Sequence, residues 1–189
     1  MNRHEFWPES RRGILLAGWS SVCVLLLAAV PLHLWAQQEE RAVRAAYVYK
    51  LTEFVSWPRH GNELLICVVG SDSMEAALKS VVEGKESSGR KIRVLQHPSE
   101  AELAHCDLVY LSDTALARGY ALLDRLQGSA VLTVGESDRF VRAGGMVGLI
   151  RSGDQIQLEV NLDAVRTAGL RISSRLLQLA VIVHSGKRG

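Results

Sequence analysis

The stretch TVGESDRFVRAGGMVGLI, Thr133 to Ile150, invites an enzymatic reading. Glu136, Ser137 and Asp138 follow a strand-like run ending in Gly135, and Gly144-Gly145 precede a second apolar run. An acid-rich turn after a strand can serve phosphate or acyl chemistry when a cation or a base accompanies it. No Lys, His or second carboxylate joins this one at a regular spacing, so it reads as a topological turn. Gly144 and Gly145 then supply positive φ or a close backbone approach, and Phe140 is either tucked into the core or presented to a partner. A second candidate, ICVVGSDS from Ile66, looks like the first strand and loop of a nucleotide binder. The phosphate-cradling patterns GxGxxG and GxxxxGK[ST] are both missing, which leaves Gly70 as a tight turn.

Metal chemistry finds no ligand set either. His60, His97, His105 and His184 are isolated from one another. His105-Cys106-Asp107 is the one tight group of ligand types, and three adjacent residues opening a strand cannot all face one ion. There is no GxSxG elbow. The expectation is a protein with no catalytic residues, no metal site and no cofactor.

The elements that would position these residues alternate between two periods. Arg41 to Trp57 spaces Val43, Tyr47, Leu51, Phe54 and Trp57 three and four apart, predicting an amphipathic helix stopped by Pro58. ELLICVVG is a short continuous apolar run, the mark of a strand buried on both faces. SDSMEAALKSVVEG follows as a helix capped by Ser71 or Asp72 and stopped by Gly84. RKIRVLQ alternates and predicts a strand near a sheet edge. The pattern repeats through a short helix (SEAELAH), a strand (CDLVYLS), a helix (DTALARGYALLDRLQG) and a strand (SAVLTVG). Two strands around Arg151–Asp154 then form a hairpin. Two helices close the chain: NLDAVRTAG, capped by Asn161, and SSRLLQLAVIVHS, capped by Ser173 or Ser174. Strand–helix alternation with short loops implies right-handed crossovers. The fold class is therefore α/β, one domain with a mostly parallel sheet covered by helices.

Residues 1–36 stand apart. Arg3, Arg11 and Arg12 precede the apolar stretch Gly13 to Trp35, Pro31 breaks it, and Ala36 offers a small residue before QQEE. That layout predicts a signal peptide over 1–36, with an uncleaved anchor as the alternative because the stretch is long. Of 22 Lys/Arg and 20 Asp/Glu, three Arg and two Glu precede residue 37, leaving 19 against 18 and a net of +1. Nucleic-acid binding needs a concentrated basic face, and no such block occurs. The remaining 153 residues, 37–189, suit a single domain. They hold two cysteines, Cys67 and Cys106. An even count in an exported chain points to a disulfide, against the alternative of two buried thiols. In a doubly wound order 2-1-3 their strands are neighbours, about 4.8 Å apart.

The fragments LTEFVSWP, ICVVGSD, CDLVYLS, VLTVGESDRFVRAGGMVGLI and LEVNLDAVRTAGLRISSRLLQLA occur in this order from about residue 41 to 183. Together they resemble the YfiR family of small periplasmic regulators. Trp57, Pro58, Gly70, Phe140, Gly144, Gly145, Asn161 and Leu176 carry the motif, and Cys67 and Cys106 match family cysteines. The resemblance implies a non-enzymatic periplasmic protein that binds the periplasmic domain of an inner-membrane diguanylate cyclase and represses it. It further implies an OmpA-like outer-membrane lipoprotein that sequesters the repressor, effects on cyclic-di-GMP and biofilm formation, and a homodimer. The best-known members carry another cysteine pair in the late hairpin region, and 144–160 has none here. The competing readings are a ligand-binding module feeding another membrane receptor such as a histidine kinase, a hydrolase or transferase with a dispersed site, and a structural envelope protein.

Overall fold

Strand β2, Glu63–Val69, shows why the sheet is central. Its side chains alternate between two apolar layers: Leu64, Ile66 and Val68 enter one core, while Cys67 enters the other. Strand β5, Leu108–Leu111, is split the same way, with Leu108 and Tyr110 on the first side and Val109 and Leu111 on the second. A run apolar on both faces can only lie between two helical layers. The structure, a computed structural model, describes residues 37–58 and 61–184. The predicted signal segment lies outside the described residues. The described residues from Glu40 on belong to one compact unit, which carries both sheets.

The main sheet has eight strands. From one edge they are β10 (Val181–Val183), β8 (Gln155–Asn161), β7 (Val147–Ser152), β6 (Leu132–Gly135), β5, β2, β4 (Arg90–Gln96) and β3 (Glu86–Ser87). Strands β4, β2, β5, β6 and β7 are mutually parallel. The hairpin strand β8 runs antiparallel to β7 and parallel to β10, and the short β3 runs antiparallel to β4. The 2-1-3 order predicted for the first three long strands is present as β4-β2-β5. The mixed α/β fold with a mostly parallel sheet is therefore the one the alternation implied.

Helices cover both sides. On one face lie α1 (residues 37–54), α2 (Asp72–Val82), α6 (Leu162–Thr167) and α7 (Ser174–Leu177). On the other lie α3 (Glu100–Leu103), α4 (Leu116–Leu126) and α5 (Asp138–Arg142). The capping signals act as expected. Ser71 accepts from Met74 N at 3.3 Å, Asn161 from Ala164 N at 3.1 Å, and Ser99 with Glu102 forms a capping box at α3.

Two predicted elements differ. Helix α1 ends at residue 54, before Pro58, and Val55–Ser56 becomes strand β1, paired with β9 (Arg171–Ile172) in a separate two-stranded sheet. Its buried face is Ala45, Val48, Leu51 and Thr52, while Val43 and Tyr47 of the predicted stripe are 43% and 38% exposed. The helix crosses the sheet closely: Glu40 pairs with Arg151 of β7 at 2.7 Å, and Thr52 O accepts from Ser87 Oγ of β3 at 2.8 Å. A close crossing selects the small side chains for the inner face and turns two of the large ones outward. The last predicted helix stops at Leu177, and Val181–Val183 forms β10 instead. Three successive β-branched residues favour the extended backbone, where a parallel partner, β8, is available.

The inner face of α1 predicts a contrast. Leu51→Ala should cost about 2–5 kcal/mol, whereas Tyr47→Ala should stay within about 0.5 kcal/mol. Urea unfolding of the two variants measures it, and equal losses would contradict this placement of the helix.

Candidate functional site

Cys67 and Cys106 are bonded to each other, with Cα atoms 6.0 Å apart and a sequence separation of 39. Cys67 lies in the middle of β2. Cys106 lies in the turn that ends α3, where its N–H donates to Leu103 O at 3.3 Å. In register, Cys67 sits opposite Val109, so ladder pairing alone would leave the two sulfurs apart. The turn before β5 brings Cys106 back over the face that Cys67 occupies. Both residues are fully buried, among Leu103, Val109, Leu111 and Phe140 of the second core. Such a bridge is a staple inside packed apolar surroundings, closed to solvent reagents.

The next residue, Asp107, is the strongest polar node of the fold. Its carboxylate accepts from Leu65 N at 2.9 Å and pairs with Arg90 at 2.7 Å. Its carbonyl accepts from Trp57 Nε1 and from Leu132 N, each at 2.8 Å, and its own N–H donates to Leu65 O at 2.9 Å. The segment after α1 and strands β2, β4 and β6 therefore all meet at one buried residue. The motif residue Trp57 owes its place to this bond, since a buried indole N–H needs an acceptor. Pro58 is exposed beside it. The sequence reading weighed Asp107 only as a metal ligand beside His105 and Cys106. The available signal was a charged residue opening a run that is otherwise apolar, which must find a partner when buried.

The TVG…F…GG block is answered by its packing. Phe140 is fully buried, and its ring fills the space that a Cβ on Gly135 or Gly145 would occupy. Gly144 takes φ +107°, which starts the return into β7. Asn161 seals the far side: its Nδ2 donates to Val141 O at 3.3 Å and its backbone N–H to Met146 O at 2.8 Å. Phe140 is thus a core residue. Leu176 is buried against the opposite core, 7% exposed. Gly70, at the end of β2, has φ +92°, and an added Cβ would strike Ala115 and Ser112 Oγ. The close approach lets the end of β2 pass against the turn that follows β5.

One buried polar pair escaped the sequence reading. Tyr110 lies in β5, and its hydroxyl donates to the Glu136 carboxylate at the end of β6. Burial, and then the Glu136 charge and hydrogen bond, push the phenol far above its ordinary range, while the Arg44 charge opposes them. Tyr110 therefore stays a neutral donor and offers no nucleophile. Among the described residues no group of three His, Cys, Asp or Glu side chains could hold a metal ion, and no helix is long and apolar enough to cross a membrane. An apolar groove of about 470 Å³ lies between α3 and α4, lined by Val69, Leu103, Leu122 and Leu126, with the Glu100–Arg125 ion pair at its rim.

The chain is a three-layer α/β domain stapled by one internal disulfide, with the motif residues Trp57, Phe140, Asn161 and Leu176 buried. Residues 41–181 match the family model described as YfiR/HmsC-like, so this chain belongs to the YfiR/HmsC-like family. Among solved structures it is similar to the ABC domain in complex with L-Trp from Streptococcus pneumonia, at 13% identity and a TM-score of 0.48. That similarity covers 64% of this chain and 55% of the other, so this chain spans about half the length of its structural relative.

Two outcomes follow from the node. The Cys67→Ser/Cys106→Ser variant should lose about 4 kcal/mol by loop entropy, and the unfolded oxidised parent should show no free thiol at Cys67 or Cys106. Asp107→Ala should cost about 3–5 kcal/mol, because it leaves Arg90 without its carboxylate and the Leu65 N–H without its acceptor. Denaturant titration with a thiol assay tests both. A serine variant as stable as its parent would reduce the bridge to an incidental contact.

Proposed function

We propose that the protein is an exported, non-enzymatic regulator that binds the periplasmic domain of an inner-membrane diguanylate cyclase and holds it inactive. It thereby lowers cyclic-di-GMP and restrains biofilm formation, and an OmpA-like outer-membrane lipoprotein relieves the repression by sequestering it. Membership of the YfiR/HmsC-like family over residues 41–181 carries this reading. Three features support it. The Cys67–Cys106 bridge suits an oxidising compartment. Residues 1–36 have the layout of an export signal. The motif residues Trp57, Phe140, Asn161 and Leu176 are spent on packing, which leaves recognition to exposed apolar side chains such as Tyr47, Leu179 and Val181.

The groove between α3 and α4 favours one further reading, a ligand-binding module. Its roughly 470 Å³ lies within the ordinary range of small-molecule sites, and its lining is mostly apolar.

The deciding experiment removes the gene in its native host and measures cyclic-di-GMP, while the purified protein is presented to the periplasmic domain of each resident cyclase. A rise in cyclic-di-GMP on deletion, restored by complementation, together with capture of one cyclase domain, is the expected result. Unchanged cyclic-di-GMP with capture of a sensor kinase instead would replace the repressor with the ligand-binding module.

A further inference from the structure

The strand order β4-β2-β5 turns at β2, and the two crossovers that meet there lie on opposite faces. Helix α2 returns over the first core and α3 over the second. In open α/β sheets that reversal leaves a crevice outside the carboxyl ends of the strands, where ligands bind. The groove between α3 and α4 opens at this place, since its lining begins with Val69, the last residue of β2. Leu103 and Ala104 on one side and Ala121, Leu122 and Leu126 on the other line about 470 Å³. The floor is continuous with the second core, because Leu103 and Leu126 belong to that core together with the bonded Cys67 and Cys106. The α3 wall is set before any ligand arrives. The disulfide holds the turn after it, and the loop before it holds His97 at φ +47°, directly ahead of Pro98. A residue before proline is normally extended, and such a departure persists only where the surroundings fix it.

We propose that this groove binds an uncharged amphiphile: an aliphatic chain on the apolar lining, ended by an amide-type head on the Glu100–Arg125 pair. The lining selects the chain and the rim selects the head. Arg125 Nη1 and Glu100 Oε1 are the paired atoms, which leaves other guanidinium N–H groups and a second carboxylate oxygen for a ligand. An amide uses both at once. Its carbonyl accepts from Arg125, its N–H donates to Glu100, and the ion pair stays intact. A carboxylate head instead competes with Glu100 for Arg125 and lies beside a like charge. An ammonium head meets the same conflict at Arg125. A zwitterion must split the pair to use it. The two side chains are 63% and 81% exposed, so the rim can meet a neutral head without burying an unpaired charge. The inference rests on the ligand-binding reading of the groove and is independent of the cyclase partner.

Titration of the oxidised protein with octanamide, octanoate, octylammonium and α-aminooctanoate, followed by backbone amide chemical shifts, tests it. Octanamide should bind with shifts confined to Val69, α3 and α4. The three charged heads should bind about tenfold or more weakly, the worth of one hydrogen bond to a charged group. Ala121→Phe, at an exposed position of α4, puts a ring into the groove and should abolish the shifts with the melting temperature unchanged. Glu100→Ala/Arg125→Ala should erase the preference among heads and leave only weak binding of the chain. A charged head that binds as tightly as octanamide, or a preference that survives the double variant, overturns the head assignment alone. No binding by any probe, shifts elsewhere, or an Ala121→Phe chain that still binds overturns the ligand-binding reading with it. If Ala121→Phe unfolds the chain, the double variant, changed only at exposed side chains, decides by whether the amide preference is lost or kept.

Discussion

The fold depends on how β5 is started. Cys106 and Asp107 precede it, and between them they fix four other parts of the chain. Cys106 is bonded to β2 from the second core, while Asp107 holds β2, β4, β6 and Trp57. Parallel strands cannot be aligned by a tight hairpin, since each pair is separated by a whole crossover. Something other than the turn must set the register. Here one covalent bond and one carboxylate do so at the same point, where three successive crossovers meet. Asp107 is 6% exposed, and its negative charge is tolerable there only because a guanidinium and a backbone N–H both point at it.

That concentration explains where the family's motif residues have gone. Trp57 closes the Asp107 cluster, Phe140 fills the gap between two glycines, Asn161 caps α6 while sealing α5, and Gly70 admits the Ala115 turn. Each serves a backbone approach or satisfies a buried polar group. A motif of this kind specifies a shape and leaves the outer surface free to vary. Binding specificity then belongs to exposed side chains, where substitution costs little stability.

Much of this architecture was legible in the sequence, and the exceptions share a cause. The continuous apolar runs at β2, β5 and β6 identified the parallel sheet because burial on both faces leaves a compositional mark. Ser71 and Asn161 were readable as caps because capping is local. The inner face of α1 was misread because a stripe of large residues and a stripe of small ones compete, and only the closeness of the sheet decides. The V-I-V segment was taken as helix because its parallel partner β8 is remote in sequence. The Tyr110–Glu136 pair and the Asp107 cluster stayed hidden for the same reason: they join residues 17 to 50 positions apart. Phe140 was left open between core and surface, and the glycines that settle it are defined by what they approach.

The bridge also ties the fold to its compartment. A contribution of about 4 kcal/mol is a large part of the roughly 5–15 kcal/mol by which a domain is usually stable. Before oxidation, Cys106 is held to the second core only by packing and its turn hydrogen bonds, and the adjacent Asp107 cluster loses the covalent constraint on its position. Without the bond, alignment at the one place where several crossovers meet rests on packing and on the Asp107 hydrogen bonds. The native sheet is consequently secured after the thiols meet an oxidising environment. Oxidation of this one pair is thereby part of the folding reaction.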